Sequence, residues 1–260
     1  MNVTPSTLTS MTKLRSCAII ASLALLTSAC ADRASQQEPP GHGPSETSAP
    51  AETVRVEGWW GRGDLVGPFT AELVGDDIVA IDLDLSHGEY GATLDRFEFR
   101  SGRLVSYRQD AQYRLMDPED PSRLVPVSMQ LEFDESGALS GGEKTVDGAG
   151  QEPDPTDLDR VRAQSKDLVE LARAFAVVAA EGGEPVRFVC PDGRTFRVTF
   201  AAEAVVLDLG EGYGRHVLSR QPAASGAKYG DDRYVVWTEG AEAMVEAFGE
   251  PMLSDCRAPE

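Results

Sequence analysis

Ser225–Gly240 reads SGAKYGDDRYVVWTEG. Two short runs, AKYG and RYVVWTE, flank the turn signal GDD, which is the pattern of a β-hairpin. Outward from it, more short runs obey the same rule: PVRFVC, TFRVTF, AVVLDL and GRHVLSR before it, AMVEAF and PMLSDC after it. The turn signals PDG and GEG separate several of them. Eight short strands in about seventy residues, from Glu184 to the end, imply a small closed barrel or a compact sandwich. A barrel also removes exposed sheet edges.

The N-terminus follows a different rule. Lys13 and Arg15 precede the apolar run SCAIIASLALLTSA, which is too short and wrongly flanked for a membrane span. The run ends LLTSAC, which resembles the lipobox of bacterial lipoproteins in Leu26, Ser28, Ala29 and Cys30; Thr27 is the less usual residue. The resemblance implies a signal peptide over 1–29, with translation starting at Met1 or Met11. It also implies a palmitate-bearing lipid anchor on Cys30. The alternative is an ordinary secretory signal that happens to contain a cysteine. Ala31 stands where an aspartate would indicate inner-membrane retention, so the implied location is the outer membrane, facing the periplasm. Residues 30–52 are rich in Pro, Ser, Gly and Glu, cannot bury enough apolar surface to order themselves, and read as a disordered tether. Such a chain spans on the order of 25 Å root-mean-square.

Cysteine usage follows from this reading. Cys17 leaves with the signal and Cys30 takes lipid, so Cys190 and Cys256 remain as a pair. In an oxidising envelope one disulfide is the default, with a two-cysteine metal site as the weaker alternative.

Residues 53–183 form a β-rich domain whose role the sequence does not assign. VRVEGWW, PFTAELV, DIVAIDLDL, LDRFEFR, RLVSYRQ and VPVSMQLEFD alternate in polarity and predict an antiparallel meander of six or more strands. Ile81, Leu83 and Leu85 then face a core, and Asp82 and Asp84 face water. Residues 140–155 read as a loop. A helix over 157–181, capped by Thr156 or Asp157, presents Leu158, Val161, Leu168, Leu171, Phe175 and Val178 as one stripe, and Gly182-Gly183 stop it. The stripe can pack on the preceding sheet or on the following domain. The fold class is mainly β: a meander plus one helix, then a small β-domain over 184–260.

No catalytic pattern emerges. His42, His87 and His216 lack metal-type spacing, and there is no nucleophile elbow, P-loop or dinucleotide fingerprint. Asp82 and Asp84 read as a solvated strand face rather than a calcium site, and Trp59-Trp60 as sheet aromatics rather than a sugar platform. The chain reads as a non-enzyme that needs no cofactor. Its formal charge of −19 repels nucleic acid and attracts cationic partners.

The C-terminal motifs occur in a fixed order: VCPDGRTFRVTF, AVVLDL, HVLSR, ASGAKY, YVVWTEG, EAMVEAFG and Cys256. Over about residues 186–256 this resembles the membrane-bound inhibitor of C-type lysozyme family. The resemblance implies an eight-stranded antiparallel barrel that inserts a loop into the lysozyme cleft. It implies lysozyme-binding roles for Ser225, Gly226, Tyr229, Thr238 and the position of Glu239, with Ser225 as the inserted residue; Lys228 and Arg233 join the candidate lysozyme-binding residues as nearby cations. The family's second motif usually carries lysine where Glu239 stands, a reversal of charge. Lys228 or Arg233 is then expected to supply the cation and to pair with Glu239. The implied partner is C-type lysozyme or a related cationic cell-wall hydrolase. The alternative is a non-inhibitory envelope module that binds peptidoglycan or an endogenous hydrolase.

Overall fold

Alternating polarity becomes alternating burial in the first domain. A computed structural model describes residues 52–62, 65–114, 120 and 122–259. The expected signal peptide, the lipidation at Cys30 and the tether up to residue 51 lie outside the described residues. Strands β1 (Thr53–Arg62), β2 (Leu65–Val74), β3 (Asp77–Ser86), β4 (Gly91–Arg100), β5 (Arg103–Arg114), β6 (Leu124–Phe133), β7 (Leu139–Val146) and β8 (Ala149–Gln151) make one antiparallel sheet in sequence order. Ile81, Leu83 and Leu85 are buried on β3, while Asp82 and Asp84 are exposed, as their alternation requires. Asp82 accepts from the Arg96 guanidinium at 2.8 Å across the outer face.

The stretch expected as a loop over 140–155 instead contains most of β7 and all of β8. Neither strand has a fully buried residue. A margin strand with no core face carries no apolar period, so its sequence looks like a loop. Its ladder to β6 is nevertheless continuous from Leu131↔Gly142 to Val127↔Val146.

Helix α1 spans Pro155–Glu181, starting two residues before the expected position. Asp154 is the cap. Its carboxylate accepts from Asp157 N at 3.0 Å, and the Asp157 carboxylate accepts from Asp154 N at 3.2 Å. Pro155 fits the first turn because its missing N–H would have no partner there. Lys144 on β7 donates to Asp157 Oδ2 at 2.7 Å and ties the helix start to the sheet.

The helix stripe meets both of its possible partners. Val161, Leu168, Ala172, Phe175 and Val178 are buried in one core with Phe69, Ile81 and Leu83 of the sheet. Val206 belongs to that same core, and Ala204 and Val217 pack against it. These three residues come from the second sheet, so α1 is the layer shared between the two sheets.

The second sheet contains β9 (Val186–Val189), β10 (Thr195–Phe200), β11 (Ala204–Asp208), β12 (Arg215–Gln221), β13 (Ala227–Gly230), β14 (Tyr234–Glu239), β15 (Glu242–Ala247) and β16 (Glu250–Arg257). They form a closed eight-stranded antiparallel barrel rather than a sandwich. Phe188, Phe196, Val198, Leu207, Leu218, Val236 and Val245 fill its interior. Closure between β9 and β16 rests on a single register pair, Val189↔Arg257. The Cys190–Cys256 disulfide sits directly beside that pair, so neither thiol is available as a metal ligand.

Candidate functional site

The hairpin of the opening stretch is built by its own short side chains. After β13, Asp231 Oδ1 accepts from Arg233 N at 2.8 Å and Tyr234 N at 2.6 Å, closing the turn that leads into β14. Ala227↔Thr238, Lys228↔Trp237 and Tyr229↔Val236 then pair in register. This puts the Ser225-Gly226 loop and the Thr238-Glu239-Gly240 turn side by side at one end of the barrel.

Gly226 makes that approach possible. Its φ is +63°, and a Cβ there would lie 2.2 Å from the Thr238 carbonyl oxygen and 3.2 Å from Glu239 Cβ. Both the left-handed backbone and the lack of space require glycine. Trp237 Nε1 donates to Ser225 O at 3.1 Å and holds the loop against β14. The Ser225 residue is exposed, and its hydroxyl has no hydrogen-bond partner among the described residues.

Alternation sorts the remaining candidates. Lys228, Val235, Trp237 and Glu239 point outward, while Tyr229 and Val236 are buried. Tyr229 packs inside the barrel edge-on to Phe200, with ring centroids 6.1 Å apart, so it supports the loop from within. Ser225, Lys228, Trp237, Met244 and Glu246 line an outer groove of about 450 Å³ together with Pro222–Ala224 and Val235. Met244 and Glu246 were not singled out in the sequence reading. They enter because β15 pairs with β14 through Trp237↔Met244 and Val235↔Glu246.

Glu239 is exposed and forms no ion pair among the described residues. Across the turn it stands opposite Glu242, whose carboxylate is taken by Arg257. Lys228 is its diagonal neighbour on the outer face, within reach of a long side chain. Arg233 is not near it. Arg233 precedes β14 and Glu239 ends it, which separates them by about 20 Å at ~3.3 Å per residue. The expected Arg233–Glu239 pairing therefore fails for a topological reason. The Arg233 guanidinium instead lies 5.9 Å from the Phe248 ring centroid and packs against Gly61 of β1.

The first sheet holds a polar cluster that its sequence pattern does not announce. Asp95 on β4 is buried, and its Oδ1 accepts from Tyr107 Oη at 2.7 Å and Gln109 Nε2 at 3.0 Å. Its Oδ2 has no partner among the described residues. Burial raises the Asp95 pKa above the usual carboxylate value, against the opposing pull of Tyr107, Gln109 and Arg160. Arg160 of α1 donates to Tyr107 Oη at 3.3 Å. Asp95 occupies a core-facing position in an alternating run, and only that position could have flagged it.

Residues 188–254 match the family model described as membrane-bound lysozyme inhibitor of c-type lysozyme. The matched segment lies within the barrel and contains the whole of the paired loop and turn. The family is one of inhibitors rather than of enzymes, and its description associates it with membranes. No curated protein and no solved structure matches the chain.

Proposed function

We propose that the barrel inhibits a C-type lysozyme by inserting the Ser225-Gly226 loop into the enzyme's cleft. One observation carries the reading: the two motifs that resemble the inhibitor family meet at a single barrel end, with the Ser225 hydroxyl exposed and unpaired among the described residues. A retaining glycosidase of this kind presents two carboxyl groups about 5 Å apart. A serine hydroxyl can donate to one of them, and the groove beside it can accept part of the cleft wall. The negative chain, at −19, attracts a cationic enzyme over long range.

Glu239 works against this partner. A carboxylate brought beside another carboxylate in a desolvated interface repels it or takes up a proton. Lys228, diagonal to Glu239, is the cation that offsets it. Ser225, Gly226, Lys228, Thr238 and Glu239 are the contact residues of this proposal, with Tyr229 supporting from inside and Arg233 outside it. The chain would be held at the periplasmic face of the outer membrane by lipid on Cys30. Glu239 also favours a second reading, a non-inhibitory module that binds peptidoglycan or an endogenous hydrolase.

Clearing of a cell-wall suspension by C-type lysozyme tests the proposal. The mature chain is expected to slow clearing, Ser225→Asp to abolish the effect, and Glu239→Lys to strengthen it. No protection at high excess and low salt would overturn inhibition of C-type enzymes. Protection unchanged by Ser225→Asp would overturn the loop assignment.

A further inference from the structure

The other end of the barrel holds a residue whose conformation its own fold does not explain. Phe248 and Gly249 form the two-residue turn between β15 and β16, with φ of +53° and +81°. Turns with two left-handed residues favour asparagine, aspartate or glycine at the first position. A bulky aromatic there is an outlier that costs strain. Burial does not repay it, because Phe248 is 74% exposed.

What the ring does is border a cleft. Its partner on one side is the Arg233 guanidinium, whose centre lies 5.9 Å from the ring centroid. That guanidinium is seated on Gly61, where a Cβ would come within 2.6 Å of Nη2. Arg233 thus joins the barrel to β1, the edge strand of the first sheet. Phe248, Arg233, Trp59, Asp167 and Asp232 line the resulting cleft of about 470 Å³, together with buried His216. The volume falls within the usual range for ligand clefts, about 300–1,000 Å³.

The lining selects the ligand by chemistry. Carboxylates accept hydrogen bonds and donate none, so Asp167 and Asp232 call for a ligand rich in O–H and N–H groups. Arg62 and Arg233 lie in the same lining, so the cleft carries both signs and its net charge selects neither an anion nor a cation, while the charged rim disfavours a purely apolar ligand. A flat, exposed phenyl ring offers an apolar face for a saturated ring to stack on. An uncharged N-acetylated sugar chain supplies hydroxyls, acetamido N–H groups and C–H ring faces at once. We infer that this cleft is a second binding site, for a neutral amino-sugar glycan, with Phe248 as its stacking platform. The site is independent of the lysozyme reading, because it occupies the opposite end of β14 from Ser225.

The test is calorimetric titration of the mature chain with a β-1,4-linked N-acetylglucosamine tetramer, with pentalysine as the competing class. The wild type is expected to bind the tetramer, and Phe248→Asn to weaken binding at least tenfold. Phe248→Asn should also melt at the same temperature or higher, since asparagine accepts the left-handed turn. Ser225→Asp should bind the tetramer as the wild type does. The inference is overturned if the tetramer does not bind or if only pentalysine binds. Unchanged affinity in Phe248→Asn overturns it, and so does a lower melting temperature, which would make the ring a structural element.

Discussion

Eight antiparallel strands in sequence order occur twice in this chain, and only the second set closes. Strands β1 to β6 run for ten to twelve residues, whereas the barrel strands run for four to eight. Eight short, tilted strands enclose a space that their own side chains can fill. The longer sheet stays open and takes its filling from α1. One domain therefore owns its core, while the other shares a core with a helix and, through Val206, with its neighbour. The barrel's weak point is its seam, the single β9–β16 register pair. The sheet's weak point is the helix layer.

The largest expected effect falls on that layer. Phe175 lies edge-on to Phe69 with centroids 5.6 Å apart, leaves no room for a side chain at Gly58, and carries Arg215 of the barrel 5.8 Å over its ring. Phe175→Ala should cost about 3–5 kcal/mol. Urea unfolding followed by tryptophan fluorescence and by far-UV circular dichroism should still give one coincident transition at lower urea. Two separated transitions would break the comparison, because they would make the helix core a property of the sheet alone.

The seam comes next. A crosslink spanning 66 residues of sequence contributes roughly 4 kcal/mol by limiting the unfolded chain. Replacing Cys190 and Cys256 by serine should lower amide protection in β9 and β16 first and leave β3–β5 of the sheet least affected. Equal loss everywhere would show that the seam is not the barrel's point of opening.

Legibility in the sequence tracked this same division. The short strands were readable because most of them ended at a Gly, Asp or Pro turn signal, and the motif order carried the family resemblance. The inward positions of β3 were readable from strict alternation around Asp82 and Asp84. β7 and β8 were not, since strands without a buried face leave no period. The helix stripe was legible, but its partner was not: a stripe records that a face is buried and not what buries it. At the candidate site, the meeting of Gly226 with Thr238 followed from the hairpin register. The distance between Arg233 and Glu239 follows from that same register, whereas sharing a strand face says nothing about separation along the strand.

A smaller effect sharpens the comparison at the binding end. Gly226→Ala meets both the left-handed backbone and the Thr238 carbonyl, so it should cost about 1–3 kcal/mol and weaken inhibition while the barrel still folds. Gly137→Ala, in the turn between β6 and β7, has the same backbone sign at φ +80° but open space around it. Its loss should be close to the bare conformational cost, about 1 kcal/mol. If the two variants melt alike, contact with Thr238 adds nothing to the loop.

The smallest effect has the opposite sign. Asp95 faces the sheet's shared core, and its raised pKa means that the folded chain holds the proton more tightly than the unfolded chain. The stability this gives is full below the ordinary carboxylate value of 3.8 and is lost as pH rises through the folded value. At neutral pH the buried charge therefore works against folding, and Oδ2 has no partner among the described residues to relieve it. Asp95→Asn keeps an oxygen for Tyr107 and Gln109 and removes the charge. The variant should melt a few degrees higher than the wild type at pH 7, by the usual ~2–4 °C per kcal/mol for a chain of this size. The advantage should shrink steadily as pH falls toward 3.8. A variant less stable at pH 7 would mean that Arg160 outweighs the cost of burial, and that the sheet holds its helix by charge as well as by apolar contact.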